Sequence, residues 1–153
     1  MAEVSSITKV NFFRGYGIYT SGAYAERLIA SGAIKSYVIA DIVNRQDDLL
    51  CSKGVEFNSE VNTVLQDQHL KIPFDLCVSI SNPLSGIELE IDLQQITHSQ
   101  FFLSALSDRY QLLPFIAVQC EKLPKHPLLQ QKLTVMKSVE NFLYRRTLYT
   151  SIL

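Results

Sequence analysis

Residues 74–93, FDLCVSISNPLSGIELEIDL, decide how the chain divides. The first run alternates, with Phe74, Leu76, Val78 and Ile80 on one side. A period of two is the mark of a half-buried strand. Asn82-Pro83 and Ser85-Gly86 then interrupt the pattern as turn dipeptides do. The second run alternates again, placing Ile87, Leu89, Ile91 and Leu93 together. Two alternating runs around a turn read most simply as a β-hairpin. Glutamate and leucine are also strong helix formers, so the second run admits another reading, the start of a helix.

Working upstream, residues 35–57, KSYVIADIVNRQDDLLCSKGVEF, hold two β-prone runs around a polar Asn-Arg-Gln-Asp-Asp turn, which predicts a hairpin. Gly54 gives a second tight turn. Asn58 or Ser59 caps a helix, Glu60 suits its first turn, and Val61, Val64, Leu65 and Gln68 carry it to about residue 70. Pro73 closes that unit. Residues 21–31 predict a short helix with Ser21 as cap, Leu28 and Ile29 inward, and Gly32 as left-handed exit. Residues 8–20, TKVNFFRGYGIYT, read as an aromatic strand bent at Gly-Tyr-Gly.

Downstream the character turns helical. Thr97-His98-Ser99-Gln100 fits a capping box, and Phe102, Ala105, Leu106, Tyr110 and Leu113 form a helical stripe. Pro114 kinks or restarts that helix. Pro124 and Pro127 bracket a linker, with Pro127 suited to the first position of the next helix. Residues 127–153 read as two helical segments whose apolar stripe still runs at Leu153. A helix ending on Ile-Leu without a cap lacks a stop signal. That predicts an association surface or a continuation, with Tyr144, Arg146, Tyr149, Ile152 and Leu153 as its residues. The expected fold class is therefore α+β. N-terminal β-hairpins with short helices fill residues 1–95 as a regulatory-type domain. A C-terminal helical segment, residues 97–153, leads toward a possible downstream domain.

The bulk properties bound the function. With 153 residues and 47% hydrophobic content the chain can bury a core. A net charge of -1 gives no basic excess, so nucleic acid is not an expected partner. No apolar run of about 18 residues occurs, so no membrane span is expected, and MAEVSSITKV is no signal peptide. Cys51, Cys77 and Cys120 are scattered, with no CxxC, as expected of plain thiols in a cytoplasmic protein.

Few residues suggest chemistry. His69, His98 and His126 lack a second ligand at metal spacing, so no metal and no cofactor is expected. Arg14 between Phe13 and Gly15, with Tyr16, Gly17 and Tyr19, offers a place for a small anionic ligand, its charge on Arg14 and its apolar part on the rings. Asp47 and Asp48 are paired carboxylates, but in a turn that favours aspartate anyway. Arg145 and Arg146 beside Tyr144 and Tyr149 suit an anionic surface or simply a solvated helix face. No GxSxG elbow is present, so no hydrolase triad is expected.

Residues 47–75, DDLLCSKGVEFNSEVNTVLQDQHLKIPFD, resemble the region preceding the catalytic domain in bacterial HD-type signalling phosphohydrolases, the HD-GYP type included. That region typically carries a G-x-L-L-x-x-G-x-x-(apolar) hairpin, a short helix and L-x-x-P-(apolar). Asp48-Leu49-Leu50, Gly54, Phe57, Val61–Leu65, His69-Leu70 and Pro73-Phe74 follow in register, with Asp48 in place of the usual turn glycine. Residues 123–153 look like the approach to an HD domain, where a histidine supplies the first metal ligand. Arg146 stands at that position, and a guanidinium has no lone pair to offer a metal. The His-Asp pair that names the family occurs nowhere in the sequence. The resemblance spans about residues 35–80 and 123–153. It implies a pre-catalytic region with a degenerate HD-approach helix: a non-catalytic regulatory or interaction module of a signal-transduction protein. Its partner would be its own downstream domain, another protein or a second copy in a homodimer. The alternatives are a binding domain for a small nucleotide-like anion, or a fragment of an HD-type phosphohydrolase.

Overall fold

The computed structural model describes residues 19–152, apart from the side chain of Phe102. Helix α1 is Gly22–Ala30. Ser21 occupies its N-cap position, but its hydroxyl accepts no cap hydrogen bond. Ala25 and Leu28 are buried, three apart on one helix face, and Ile29 falls beside that face and is exposed. Gly32 makes the expected left-handed exit at φ +55.

Four short strands follow: β1 (Ser36–Val38), β2 (Ile42–Val43), β3 (Leu49–Cys51) and β4 (Glu56–Phe57). They form the hairpin expected of residues 35–57 as two nested ladders. β1 pairs antiparallel with β4, Ser36 opposite Phe57. Within it β2 pairs antiparallel with β3, Ile42 opposite Cys51, with a bulge. Asn44 builds the connecting turn. Its side-chain oxygen accepts the amides of Gln46 and Asp48, each at 2.9 Å. Its amide group donates to the Asp48 carboxylate at 3.0 Å, and Asp47 adopts φ +68. Asp47 also ion-pairs with Lys71. Both aspartates thus serve the turn.

Asn58 caps helix α2 (Ser59–Leu65) by accepting the Val61 amide at 3.0 Å. The helix stops short of the expected residue 70. Gln66 turns extended and Asp67 takes φ +62, which lets both Leu65 and Leu70 reach the core while Val64 faces out. The Leu70 amide donates to the Tyr19 carbonyl at 2.7 Å.

Residues 74–80 are only half a strand. Pro73 opens a single helical turn, α3 (Phe74–Cys77), and β5 (Val78–Ile80) follows. The turn buries Phe74 and Cys77 and leaves Leu76 exposed, so strict alternation holds only from Val78. β5 pairs antiparallel with β1, Val38 opposite Val78, giving a sheet of order β4-β1-β5.

Residues 86–93 are helix, not strand. They open α4 (Gly86–Ser99), whose first turn is locked by a capping box. The Ser85 hydroxyl accepts the Glu88 amide at 3.2 Å, and the Glu88 carboxylate accepts the Ser85 amide at 2.9 Å. Those bonds from Ser85, backbone first, hold the Glu88 carboxyl below its ordinary range. Leu89, Leu93 and Ile96 follow helical spacing and are buried, whereas Ile87 is 71% exposed. Ser85→Ala is expected to destabilise the chain by about 1 kcal/mol in urea unfolding, the usual value of an N-cap.

The expected capping box at Thr97 does not form. Thr97 is buried inside α4, and its hydroxyl donates back to the Leu93 carbonyl at 2.9 Å. Helix α5 (Phe101–Tyr110) starts without a side-chain cap. It turns Leu103 and Ser107 inward and leaves Ala105 and Tyr110 exposed. The break before α6 (Leu112–Cys120) lies at Gln111, φ +52, and not at Pro114. Pro114 falls in the first turn of α6, where its missing amide would have no helical partner. A 3₁₀ turn (Leu123–Lys125) leads to α7 (Pro127–Val139), with Pro127 as its first residue, and Glu140 separates α7 from α8 (Asn141–Ile152).

The α+β class expected from the sequence is the one observed, with strands N-terminal and helices C-terminal. Among the described residues two hydrophobic cores result. The first joins α1, the sheets, Leu65, Leu70 and Phe74. The second joins Leu84, α4, α5, α6 and α8. Helix α7 lies across both: Val135 belongs to the first core and Leu133 to the second. No helix among the described residues is long and apolar enough to cross a membrane.

Candidate functional site

Helix α6 reads LLPFIAVQC, apolar on nearly every side. Such a helix has no clean polar face to turn to solvent; it buries Ile116 and Cys120, leaves Val118 exposed, and otherwise is either covered or borders a cavity. It does the second. Between α4, α6, α7 and the last turn of α8 lies a cavity of about 400 Å³. Leu93, Ile116, Leu133 and Ile152 form its walls. Phe115 and Leu129 stand at its mouth, 62% and 53% exposed. Its polar groups are few: Gln119, Lys122, His126 and Ser151, with the Cys120 thiol deeper in. Lys122 donates to the Gln119 side chain at a long 3.4 Å, and among the described residues neither Asp nor Glu lines the cavity. Burial, then the charge of Glu90, pushes the Cys120 thiol up, so it stays protonated at neutral pH.

Cys51 and Cys77 are likewise buried, free and pushed up by burial. Cys51 and Cys77, packed in the sheet core, should therefore react with a disulfide reagent only slowly in the native chain and fully after unfolding. Fast native labelling of either of them would contradict the packing.

Tyr144 and Asp92 tie the same helices together. Asp92 accepts the Tyr144 hydroxyl at 2.7 Å and the Lys137 ammonium at 2.6 Å on one carboxylate oxygen. Tyr144 is 2% exposed, so it is not part of an outer surface as the sequence suggested. Its neighbours on α8 explain why: Tyr144 and Leu148, four apart, are the face that packs on the second core. Tyr149 and Ile152 are half-buried against that core, Arg146 is exposed, and Leu153 lies outside the described residues. Tyr144, Leu148, Tyr149 and Ile152 are thus turned onto their own chain, while Phe142 and Leu143 of the first turn are exposed. Burial first, and then the bond to Asp92, raises the Tyr144 pKa, which leaves it unsuited to act as a base near neutrality.

The other sequence candidates centre on Tyr19. It borders an open cleft of about 350 Å³ with the first turn of α1 and Pro73, Phe74 and Asp75. Arg14 and Tyr16 lie outside the described residues. The one charged residue in the described wall is Asp75, itself paired with Lys132 at 2.6 Å. The described wall thus holds one neutralised carboxylate and no cation of its own. Tyr24, in the same cleft, has a buried hydroxyl with no hydrogen-bond partner among the described residues. Burial and then Asp75 push it up to about 12.

The two raised tyrosines give a pH dependence. Unfolded, each loses its proton near the ordinary value of 10.0. The unfolded chain therefore binds fewer protons than the native one above that pH, and stability falls as pH rises. The contribution is complete below pH 10 and, for Tyr24, is lost toward about pH 12. Urea midpoints across that window should drop, and less steeply in Tyr24→Phe.

The histidines are not brought together. His69 and His98 are exposed, the latter beside the Gln94 carbonyl at 2.7 Å, and His126 lies at the cavity. Among the described residues no group of three His, Cys, Asp or Glu side chains converges. Sequence reasoning missed Asp92, Lys137 and the cavity walls. Asp92 meets Lys137 and Tyr144 only across helices distant in sequence, but the all-apolar α6 was a visible signal.

Comparison with protein-family models, curated proteins and solved structures gives no match to this chain. The resemblance to pre-catalytic regions of HD-type signalling proteins thus rests on the quoted residues alone.

Proposed function

We propose that this chain is a non-catalytic binding and regulatory module of a signal-transduction protein, acting through the apolar cavity of its C-terminal helices. The observation that carries this reading is the cavity itself, apolar in its walls and with Phe115 and Leu129 exposed at its mouth. Pockets of roughly 300–1,000 Å³ with mostly apolar walls and a few placed polar groups are where small ligands bind. Covering such a mouth yields about 25 cal/mol for each Å² of apolar surface removed from water.

Helix α8 couples the cavity to the rest. Its last turn supplies Ser151 and Ile152 to the lining, while Tyr144, earlier on the helix, is fixed to Asp92. An occupant restrains the end of α8, and whatever contacts α8 senses it, be it the protein's own downstream domain, a partner protein or a second copy. The HD-type resemblance of residues 123–153 supplies that setting.

A thermal-shift titration of the full chain with a neutral n-alkanol tests the reading. Saturable stabilisation is expected, and Ser151→Trp, which plugs the cavity from an exposed position, should remove it. No stabilisation of the parent chain would count against the cavity as a ligand site.

A further inference from the structure

We infer that the cavity takes a medium-chain amphiphile with an anionic head, of the fatty-carboxylate class; this rests on the reading of the cavity as a ligand site. Size sets the chain length. At about 30 Å³ per water-sized group, a volume of about 400 Å³ accommodates on the order of thirteen non-hydrogen atoms. A ten-carbon carboxylate is of that size. The walls set the chemistry of the tail. Leu89, Leu93, Ile116 and Leu133 are buried aliphatic residues, and the Cys120 thiol among them is a weak hydrogen-bonding group. A tail with internal polar atoms would leave those atoms unpaired there.

The rim sets the head. Lys122 supplies the ammonium group of the lining, with the His126 imidazole as a further nitrogen donor or acceptor. Among the described lining residues there is no Asp or Glu side chain to neutralise it, and its hydrogen bond, to Gln119 at 3.4 Å, is long. A carboxylate head at the mouth gains a charge-assisted bond from Lys122 while remaining partly hydrated. A neutral alcohol of the same length gains the burial but not that bond. The described wall of the Tyr19 cleft has no lysine or arginine for such a head, and its Asp75 is already paired with Lys132.

Calorimetric titration of the full chain with decanoate below its micelle concentration, and with decanol, tests this in the parent and in Lys122→Met and Ser151→Trp. Both positions are exposed, and circular dichroism checks that each variant keeps its helices. Decanoate should bind one per chain, about tenfold tighter than decanol. Lys122→Met should erase the difference and keep decanol binding, and Ser151→Trp should block both. Equal affinity for the two ligands, or a preference that survives Lys122→Met, overturns the anionic head and leaves the cavity reading in place. Binding of neither ligand overturns both. Decanoate binding that Ser151→Trp does not reduce places the site elsewhere and also overturns the inference.

Discussion

A chain ending at His126 is expected to lose its cooperative unfolding transition altogether, including that of its N-terminal half. Helix α7 is the reason. Val135, 1% exposed, belongs to the sheet core, and Val139 packs against that core. Leu133 belongs to the helical core. Truncation there also removes Tyr144 and Leu148, and with them the Lys132–Asp75, Lys137–Asp92 and Arg27–Glu140 ion pairs. Burying each such apolar side chain contributes about 1.5–3 kcal/mol. Four of them together rival the whole stability of a domain, about 5–15 kcal/mol. Far-UV circular dichroism through a urea titration reads the effect. A shortened chain that still unfolds cooperatively, at the parent's midpoint, would show that the N-terminal core stands without α7. The single change Val135→Asp should act in the same direction, since it buries an unpaired charge.

Gly86→Ala should cost about 3 kcal/mol, at the upper end of the usual range for overpacking. A Cβ at Gly86 would lie 2.4 Å from the Cys120 carbonyl oxygen and 3.0 Å from its carbon. Both are backbone atoms, so no side chain can swing aside. Helices α4 and α6 would have to separate, and these are two walls of the cavity. Loss of stability and loss of alkanol binding should therefore appear together. Gly54→Ala is the control: its Cβ meets nothing within 4 Å, and the φ of +92 alone opposes it. That conformational cost is about 1–2 kcal/mol. Equal effects at the two glycines would mean that α4 and α6 do not approach as closely as described.

Local chemistry made much of the fold legible. Asn44 and its turn, the Asn58 cap, the Gly32 exit and Pro127 at the start of α7 each act within a few residues, and each stands where the sequence places it. Residues 86–93 show where local reading fails. Leu89 and Leu93 are two apart from Ile91 and four apart from each other, so both periods are satisfied at once. The deciding feature was Ser85-x-x-Glu88, a capping box in the turn itself. The same signature at Thr97 misled, because tertiary packing claims the Thr97 side chain for the core. The candidate site was harder to read. Asp92 meets Tyr144 only after three helices have packed, and an apolar helix end at residues 148–152 looks the same whether it faces a partner or its own chain.

The proposed function turns on whether an amphiphile binds among the C-terminal helices. Methyl-resolved NMR of the full chain, titrated with decanoate, measures it directly. Saturable shifts are expected at Leu89, Leu93, Ile116, Leu133 and Ile152, with Val38, Ile42 and Val78 of the sheet core unmoved. Shifts centred on the sheet core, or none at all, would contradict a ligand site among the C-terminal helices.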